Sequence, residues 1–383
     1  MKTNLKKLLY SGVTLMSLGV LAACSSTSSS TTTSSLVTTS QSSTTSSNST
    51  SSDSSSSSID WSALPTTEVT LSNDGLKITE GGTYILKGST TAGVTVETDA
   101  NVRIILAGAD ISSSDTAAIN VISADNVELE IQDGTSNTVK DTSSHSDTNI
   151  EGAIHVEADL TITGNGNLTV EGNFQDGIVS TDDLVINAGN ITVTAVDDGI
   201  RGKDSLTING GTINVTAGGD GIKSTNDTDT TKGYTTITGG EITVKAGDDG
   251  IKAETALTID GGTITVSESL EALEGTNITI NGGTLDVYGS DDAINAASTT
   301  SSDIFIKVTG GDLKVAVGSG DTDAFDANGD IYISGGTIDV TAPTSAFDFD
   351  GTVEFTGGTV TVNGEQITQI TATGPGAGGH GGW

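Results

Sequence analysis

The sequence predicts an all-β protein whose body is a right-handed parallel β-helix, a solenoid with about 22 residues per coil. Three observations support this fold class. The chain of 383 residues repeats one glycine-containing signature at nearly constant spacing. Apolar and polar residues alternate with period two inside each repeat, which is typical of short β-strands. Outside the N-terminus, no stretch shows the period of about 3.6 residues that marks an amphipathic helix.

The repeat is clearest in the middle of the chain. Residues 206–215 read Leu-Thr-Ile-Asn-Gly-Gly-Thr-Ile-Asn-Val, and residues 257–266 and 278–287 follow the same pattern. Glycine pairs break the chain between strands, where a tight bend needs positive φ. The first glycines of successive repeats are 21, 29, 22 and 21 residues apart, at Gly189, Gly210, Gly239, Gly261 and Gly282.

The longer spacings predict insertions that bulge from the solenoid. One insertion is residues 225–232 and another is residues 298–303. Insertions in a repeat array emerge on a loop face, which is often the binding face. A β-sandwich and a β-propeller are the rival architectures, but a period of about 22 residues is too short for a four-stranded propeller blade.

The N-terminus has the pattern of a secreted lipoprotein. Three lysines precede a short apolar run at residues 8–20, which is too short to span a membrane. Leu21-Ala-Ala-Cys24 resembles a bacterial lipobox, so we predict a signal peptide at 1–23 and lipidation of Cys24. The alternative is an ordinary signal peptide followed by a free thiol.

Composition divides the remainder of the chain. Residues 24–58 are nearly all Ser and Thr, which predicts a disordered tether. Residues 59–150 are less regular and are assigned to an irregular N-terminal cap and the first coils. Residues 151–373 are assigned to the repeat coils, and the glycine-rich residues 374–383 to a flexible tail.

The charge of the chain restricts its partners. Fifty acidic residues against 15 basic ones give a formal net charge of −35. Nucleic acid and anionic membrane surfaces are therefore excluded by electrostatics, whereas divalent cations are favoured. We expect a monomer that contacts the membrane only through its N-terminal lipid.

An acidic signature recurs with the repeat. It reads Ala195-Val-Asp-Asp-Gly-Ile-Arg201, Ala217-Gly-Gly-Asp-Gly-Ile-Lys223 and Ala246-Gly-Asp-Asp-Gly-Ile-Lys252. Stacked coils would place these carboxylates about 5 Å apart, where repulsion requires protonation or a bound cation. Ca²⁺, which takes six to eight hard oxygen ligands, fits best. The predicted ligands are Asp176, Asp197, Asp198, Asp220, Asp248, Asp249, Glu271, Asp291, Asp292 and Asp323. The alternative is that these residues only form turns.

Basic residues recur beside the acids. Arg201, Lys223 and Lys252 each follow the Gly-Ile step, and we predict that they bind the carboxylate of an acidic sugar. Charge balance beside the aspartates is the alternative role. Tyr234 is predicted to bind glycan as a sugar-stacking aromatic residue. Lys223 or Lys252 would also suit the base of a β-elimination, although no catalytic residue is otherwise assigned.

The Asp-Gly-Ile series, with Asn173-Phe-Gln-Asp-Gly-Ile-Val179 and Lys232-Gly-Tyr234, resembles the carbohydrate-binding domain family of clostridial surface lipoproteins. The resemblance runs from about residue 66 to 362. It implies a right-handed parallel β-helix similar to polysaccharide lyases that binds calcium and plant polysaccharides such as cellulose and pectic acid. Asp323-Ala-Phe and Ser345-Ala-Phe depart from the series, which makes calcium less expected there.

Together these patterns predict a lipid-anchored polysaccharide-binding protein on the extracellular face of a bacterial membrane. The alternatives are a calcium-dependent lyase of the pectate type and a structural adhesin or spacer.

Overall fold

The structure is a computed structural model that describes residues 59–320 and 322–373. The predicted signal peptide, Cys24, the tether and the C-terminal tail lie outside the described residues and stay predictions. The boundary proposed at residue 150 also stays a prediction. Parallel strand pairing is present on both sides of it.

The described residues fold into one 3-10 helix, Trp61–Ala63, and 34 strands. No helix within them has the length and apolar character needed to cross a membrane. The strands are β1 (Thr66–Leu71), β2 (Leu76–Ile78), β3 (Gly82–Thr90), β4 (Val94–Glu97), β5 (Val102–Ser112), β6 (Ile119–Ser123), β7 (Asn126–Ile131), β8 (Ser136–Lys140), β9 (Gly152–Val156), β10 (Asp159–Thr163), β11 (Asn167–Gly172), β12 (Asp176–Ser180), β13 (Asp183–Ile186), β14 (Asn190–Ala195), β15 (Ile200–Gly202), β16 (Ser205–Ile208), β17 (Thr212–Ala217), β18 (Ile222–Ser224), β19 (Tyr234–Ile237), β20 (Glu241–Lys245), β21 (Ile251–Ile259), β22 (Thr263–Glu268), β23 (Leu273–Ile280), β24 (Thr284–Gly289), β25 (Ile294–Ala296), β26 (Phe305–Val308), β27 (Asp312–Val317), β28 (Asp323–Ala327), β29 (Asp330–Ile333), β30 (Thr337–Thr341), β31 (Ser345–Phe349), β32 (Val353–Phe355), β33 (Thr359–Val362) and β34 (Glu365–Ile367).

Strand pairing arranges these elements into three parallel ladders, as expected for a solenoid-like β fold. Face 1 includes β9, β12, β15, β18, β21, β23, β25, β28 and β31. Face 2 includes β10, β13, β16, β19, β21, β23, β26, β29 and β32, and face 3 includes β11, β14, β17, β20, β22, β24, β27, β30 and β33. Strands β21 and β23 belong to two faces because they continue through a corner.

The register keeps equivalent residues of successive coils beside one another. On face 1, partners at 178, 200, 222, 251, 273 and 294 are separated by 22, 22, 29, 22 and 21 residues. The 29-residue step contains the insertion at 225–232. A column of side chains on any face therefore follows directly from the sequence repeat.

The core lies between the three faces and is built from stacked aliphatic side chains. Leu206, Ile208 and Ile213 are fully buried, whereas Asn214, which lies between the buried Ile213 and Val215, is exposed. Near the C-terminal end, Phe325 and Phe347 replace the aliphatic column, and their rings stack with centroids 5.1 Å apart. Period-two alternation thus places one apolar set inside the solenoid.

Glycines are required for two different reasons. The second glycine of each pair has positive φ, as at Gly211 (99°) and Gly262 (92°), which confirms the bend expected there. In the Asp-Gly-Ile series the glycine serves close packing instead. A Cβ on Gly221 would lie 2.3 Å from Val244 Cγ1 and 2.6 Å from the carbonyl oxygen of Gly250.

A hairpin covers the C-terminal end of the solenoid. Strand β34 pairs antiparallel with β33, and positive φ at Asn363 (51°) and Gly364 (84°) forms the turn between them. Thr373 then donates its backbone N–H to the carbonyl oxygen of Phe347 at 2.9 Å. These contacts provide backbone partners at the last coils.

Candidate functional site

From β12 to β28, one acidic residue per coil lies at the start of the face 1 strand or two residues before it, and we call this series the acid column. Its members are Asp176, Asp198, Asp220, Asp249, Glu271, Asp292 and Asp323. Asp198, Asp220 and Asp249 are at most 5% exposed.

The carboxylates of the acid column take part in the stacking of the coils. Oδ1 of Asp176 accepts the backbone N–H of Asp198 at 3.1 Å, and Oδ1 of Asp198 accepts that of Asp220 at 3.0 Å. Asp220 accepts from Asp249 in the same way at 2.9 Å. An aspartate here therefore satisfies a buried backbone donor on the next coil, a role that exceeds simple turn formation.

The basic residues form a second series, the base column, three residues after the acid column. Arg201, Lys223 and Lys252 are register partners on successive strands of face 1. Lys223 Nζ lies 2.6 Å from Asp198 Oδ2 and 2.9 Å from Asp220 Oδ2. The repulsion expected along the acid column is thus offset by ammonium and guanidinium groups lying between its coils.

These contacts fix the protonation of the basic groups. Although burial opposes it, Asp220 and Asp198 raise the pKa of Lys223, and Asp249 and Glu274 raise the pKa of Lys252 in the same way. Both lysines therefore stay protonated near neutral pH. Because a general base must be unprotonated, the geometry favours charge balance for these side chains.

The base column ends at Lys252. The next register partners at the same position are Glu274, Asn295, Asp326 and Asp348. Burial, together with neighbouring carboxylates, raises the pKa of Asp292 to about 6 and that of Asp326 to about 7. The C-terminal half of face 1 therefore carries half-buried acids without the alternating bases of the N-terminal half.

In the part of the chain that the structure describes, three groups of acids bring their oxygens within 4.8 Å of one another. They are Asp176 with Asp197 and Asp198, Asp220 with Asp248 and Asp249, and Asp249 with Glu271 and Glu274. Among the described residues, Asp291, Asp292 and Asp323 belong to no such group.

The group of Asp249, Glu271 and Glu274 differs from the other two and is called the acid triad. Lys252 Nζ contacts Asp249 Oδ2 and Glu274 Oε2, each at 2.7 Å. Oδ1 of Asp249 is buried and has no hydrogen-bond partner. Burial, with the adjacent Glu274 and Glu271, raises the pKa of Asp249. One ammonium thus serves a cluster of three carboxyl groups, and their crowding favours either a proton or a metal cation on Asp249.

Sequence reasoning missed Glu274. The Asp-Gly-Ile signature does not include this residue, because this coil reads Glu271-Ala-Leu-Glu274 in its place. Alignment of that block with Asp249-Gly-Ile-Lys252 would have set Glu274 at the base position and shown that an acid replaces the lysine.

A groove of about 780 Å³ adjoins the acid triad. Lys252 and Glu274 line one part of it, and Tyr234 lines another. Side chains from the insertions 225–232 and 298–303 form the remaining walls. Of the four predicted sugar-binding residues, the structure therefore brings Lys252 and Tyr234 to this groove, whereas Arg201 and Lys223 lie on earlier coils.

Comparison with known proteins identifies the family. The profile of carbohydrate-binding domain-containing proteins matches residues 72–324. The chain belongs to this family. This confirms the resemblance predicted from the Asp-Gly-Ile series.

Two relatives extend this result. Over 135 residues the chain is 35% identical to a carbohydrate-binding domain-containing protein of Acetivibrio thermocellus. This alignment covers 33% of this chain and 47% of the relative. The chain thus matches about half of that relative's length. A solved polysaccharide lyase-like protein from C. thermocellum, a gadolinium derivative, is 35% identical with a TM-score of 0.51, covering 52% of this chain and 90% of that one.

Proposed function

We propose that the protein binds polysaccharide of the pectic or cellulosic type and holds calcium at the acid triad. The observation that carries this proposal is the cluster of Asp249, Glu271 and Glu274 at the coil where the base column ends, in a chain of a carbohydrate-binding family. The fold proposed for it is a right-handed β-helix with about 22 residues per coil, because nearly all crossovers between parallel strands are right-handed.

The acid triad fits calcium by the chemistry of its donors. All three side chains offer hard carboxylate oxygens, and Oδ1 of Asp249 is buried without a partner. A bound Ca²⁺ would neutralise the excess negative charge and offer coordination sites to sugar oxygens. The gadolinium derivative of the polysaccharide lyase-like relative is consistent with this, since gadolinium is also a hard, oxygen-preferring cation.

The other acid groups fit a metal less well. Asp249 also belongs to the second group. Asp198 and Asp220, however, already use their buried oxygens to accept backbone N–H groups and to pair with Lys223. We therefore assign these aspartates to coil stacking and charge balance.

The test is calorimetric titration of the metal-free protein with Ca²⁺, followed by titration with polygalacturonate and with a soluble cellulose derivative. The double variant Glu271→Gln/Glu274→Gln should lose at least tenfold in calcium affinity, since two of three ligands lose their charge. Glu241→Gln/Glu354→Gln makes the same change of net charge at two exposed positions and should bind calcium like the parent.

Each alternative function has its own outcome in this experiment. Unsaturated product that absorbs ultraviolet light would assign the protein to the lyases. Calcium binding with no affinity for any polysaccharide would contradict carbohydrate binding and favour an adhesin or spacer. Equal calcium affinity of the parent and the acid-triad variant would place the metal elsewhere.

We also propose that the protein is anchored by lipid at Cys24 on the extracellular face of the membrane. The lipobox-like Leu21-Ala-Ala-Cys24 supports this. Labelled fatty acid should attach to the parent and not to Cys24→Ala, and equal labelling of both would contradict the anchor.

A further inference from the structure

We infer that the groove between the two insertions is the saccharide-binding subsite and that it accepts a neutral, hydroxyl-rich glycan segment. This inference rests on the proposed carbohydrate-binding function and adds to it the place of binding and the class of sugar. The two insertions are called the first loop (225–232) and the second loop (298–303).

The groove arises from the order of the coils. The first loop follows β18, and the second loop follows β25. The two coils between them have no insertion at this corner, and their strands β21 and β23 run through it as the floor. With neighbouring coils roughly 4.8 Å apart, the loops emerge about 14 Å from one another. An open channel of this width suits an extended chain that enters and leaves at its ends.

Hydrogen bonds hold the first loop in place. Asp204 anchors it from below: its Oδ1 accepts from the Asn226 amide at 2.6 Å, and its Oδ2 contacts Lys232 Nζ at 2.5 Å. Oδ1 of Asn226 in turn accepts the backbone N–H groups of Thr228 and Asp229 at 3.2 and 3.0 Å. The wall is therefore formed before a ligand arrives.

The second loop is braced by its own hydrogen bonds, and the floor is bonded to the first loop. Oγ of Ser298 accepts the backbone N–H groups of Thr300 and Ser301 at 3.2 and 3.1 Å. On the floor, Thr255 and Thr276 donate to the carbonyl oxygens of Lys232 and Glu254 at 2.7 and 2.9 Å. Preformed walls reduce the entropy that a ligand must overcome on binding.

The lining of the groove matches the chemistry of a sugar. The loops contribute a series of hydroxyl groups, from Thr230, Thr231, Ser298, Thr299, Thr300 and Ser301. Such groups both donate and accept, as sugar hydroxyls do. Tyr234 is 39% exposed and adds an aromatic face at the edge. A volume of about 780 Å³ lies within the range of small-molecule sites.

The charge of the lining selects against acidic sugars. Asp227, Glu254 and Glu274 contribute three negative charges, and Lys252 contributes one positive charge. The ammonium of Lys252 already contacts Asp249 and Glu274, so it is engaged within the protein. A uronate in the groove would be repelled by Asp227 and Glu254 even with a cation at the acid triad, whereas a neutral sugar can hydrogen-bond to the hydroxyl and carboxylate groups without repulsion.

The test is native affinity electrophoresis of the full chain in gels that contain one polysaccharide each. The probes are hydroxyethylcellulose, xylan, methyl-esterified pectin and polygalacturonate, each with calcium and with chelator. The two pectins have the same backbone and differ in the charge of the sugars, which isolates the electrostatic part of the inference.

Two variants alter the groove. Ala256 is half-buried on its floor, and Ala256→Trp fills the space above β21. Tyr234→Ala removes the exposed ring. Ala316→Trp on β27 and Tyr288→Ala on β24 make the same changes at half-buried positions outside the groove. Circular dichroism of all four variants establishes that they are folded.

The inference expects stronger retardation by at least one neutral probe than by polygalacturonate, in calcium and in chelator alike. Ala256→Trp should weaken that binding at least tenfold and Tyr234→Ala several-fold, while the two control variants stay within twofold of the parent. Binding by the parent that survives both groove variants would overturn the groove and leave the proposed function intact. Retardation by polygalacturonate alone would overturn the neutral class, and no retardation by any probe would overturn both proposals.

Discussion

Replacement of Lys223 by methionine tests whether the base column stabilises the fold. The Lys223 ammonium lies within 2.6 and 2.9 Å of two carboxylates, those of Asp198 and Asp220, which are only 4% and 5% exposed. Lys223→Met keeps much of the apolar stem and removes the charge. Both carboxylates then stay buried without their shared cation.

The expected loss of stability is large for a single substitution at a partly exposed position. Removing one partner of a buried ion pair costs about 3–5 kcal/mol. The Lys223 side chain is 19% exposed, so solvent screening lowers the expectation to roughly 2–4 kcal/mol. Lys314→Met is the matched control: Lys314 lies 3.8 Å from Asp286, both side chains are more than 60% exposed, and the expected change is within about 0.5 kcal/mol.

Urea unfolding followed by circular dichroism in chelator at neutral pH measures both variants. A loss below about 1 kcal/mol for Lys223→Met, or a loss equal to that of Lys314→Met, would refute the stabilising role of the base column.

Three further predictions concern other parts of the solenoid. The pKa of Asp326 is raised to about 7 from a reference value of 3.8, so its contribution to stability is present below about pH 4 and is lost as the pH rises through 7. In chelator, Asp326→Asn should therefore gain melting temperature over the parent at pH 8 and not at pH 4, and an equal shift at both pH values would contradict this. Phe347→Ala should cost about 3–5 kcal/mol in urea unfolding, since it leaves a cavity beside Phe325; a loss below 1 kcal/mol would argue against the stacked pair. Gly221→Ala should destabilise the fold by more than about 2 kcal/mol, because the added Cβ would lie 2.3 Å from Val244 Cγ1. At Gly108 the added Cβ would have no atom within 4 Å, but φ is 87°, so Gly108→Ala should cost about 1 kcal/mol. Thermal unfolding of the two glycine variants side by side separates crowding from backbone strain.

The fold was largely predictable because the repeat carries its own register. Once Ile208 and the residues one repeat away are aligned, parallel pairing of those positions and burial of one face follow from period-two alternation. The C-terminal hairpin was missed although its signal was present. Asn363-Gly364 between short apolar alternations is a strong hairpin signal, and both residues adopt positive φ.

The site was predictable only in part. Recurrence placed Asp198, Asp220 and Asp249 in one column, but it gave no information on the partner of each oxygen. The backbone N–H groups that Asp198 and Asp220 accept, and the position of Lys223 between two coils, depend on three-dimensional packing. A repeat signature identifies a shared position, and the partners at that position are set by the neighbouring coils.

The end of the base column gives the acid column two different roles along one face. Asp176, Asp198 and Asp220 each accept a backbone N–H from the next coil and contact a basic side chain, so coil stacking and charge balance account for them. At Glu274 an acid takes the place of the base, and the next coils bring further acids. The cation site that we propose therefore lies at this coil. The same coil lies between the first and second loops and contributes Glu274 to the groove. The metal proposed for the acid triad and the sugar proposed for the groove would therefore be neighbours. Both proposals depend on the coil in which Glu274 takes the position of Lys252, since Glu274 belongs to the acid triad and also lines the groove between the two loops.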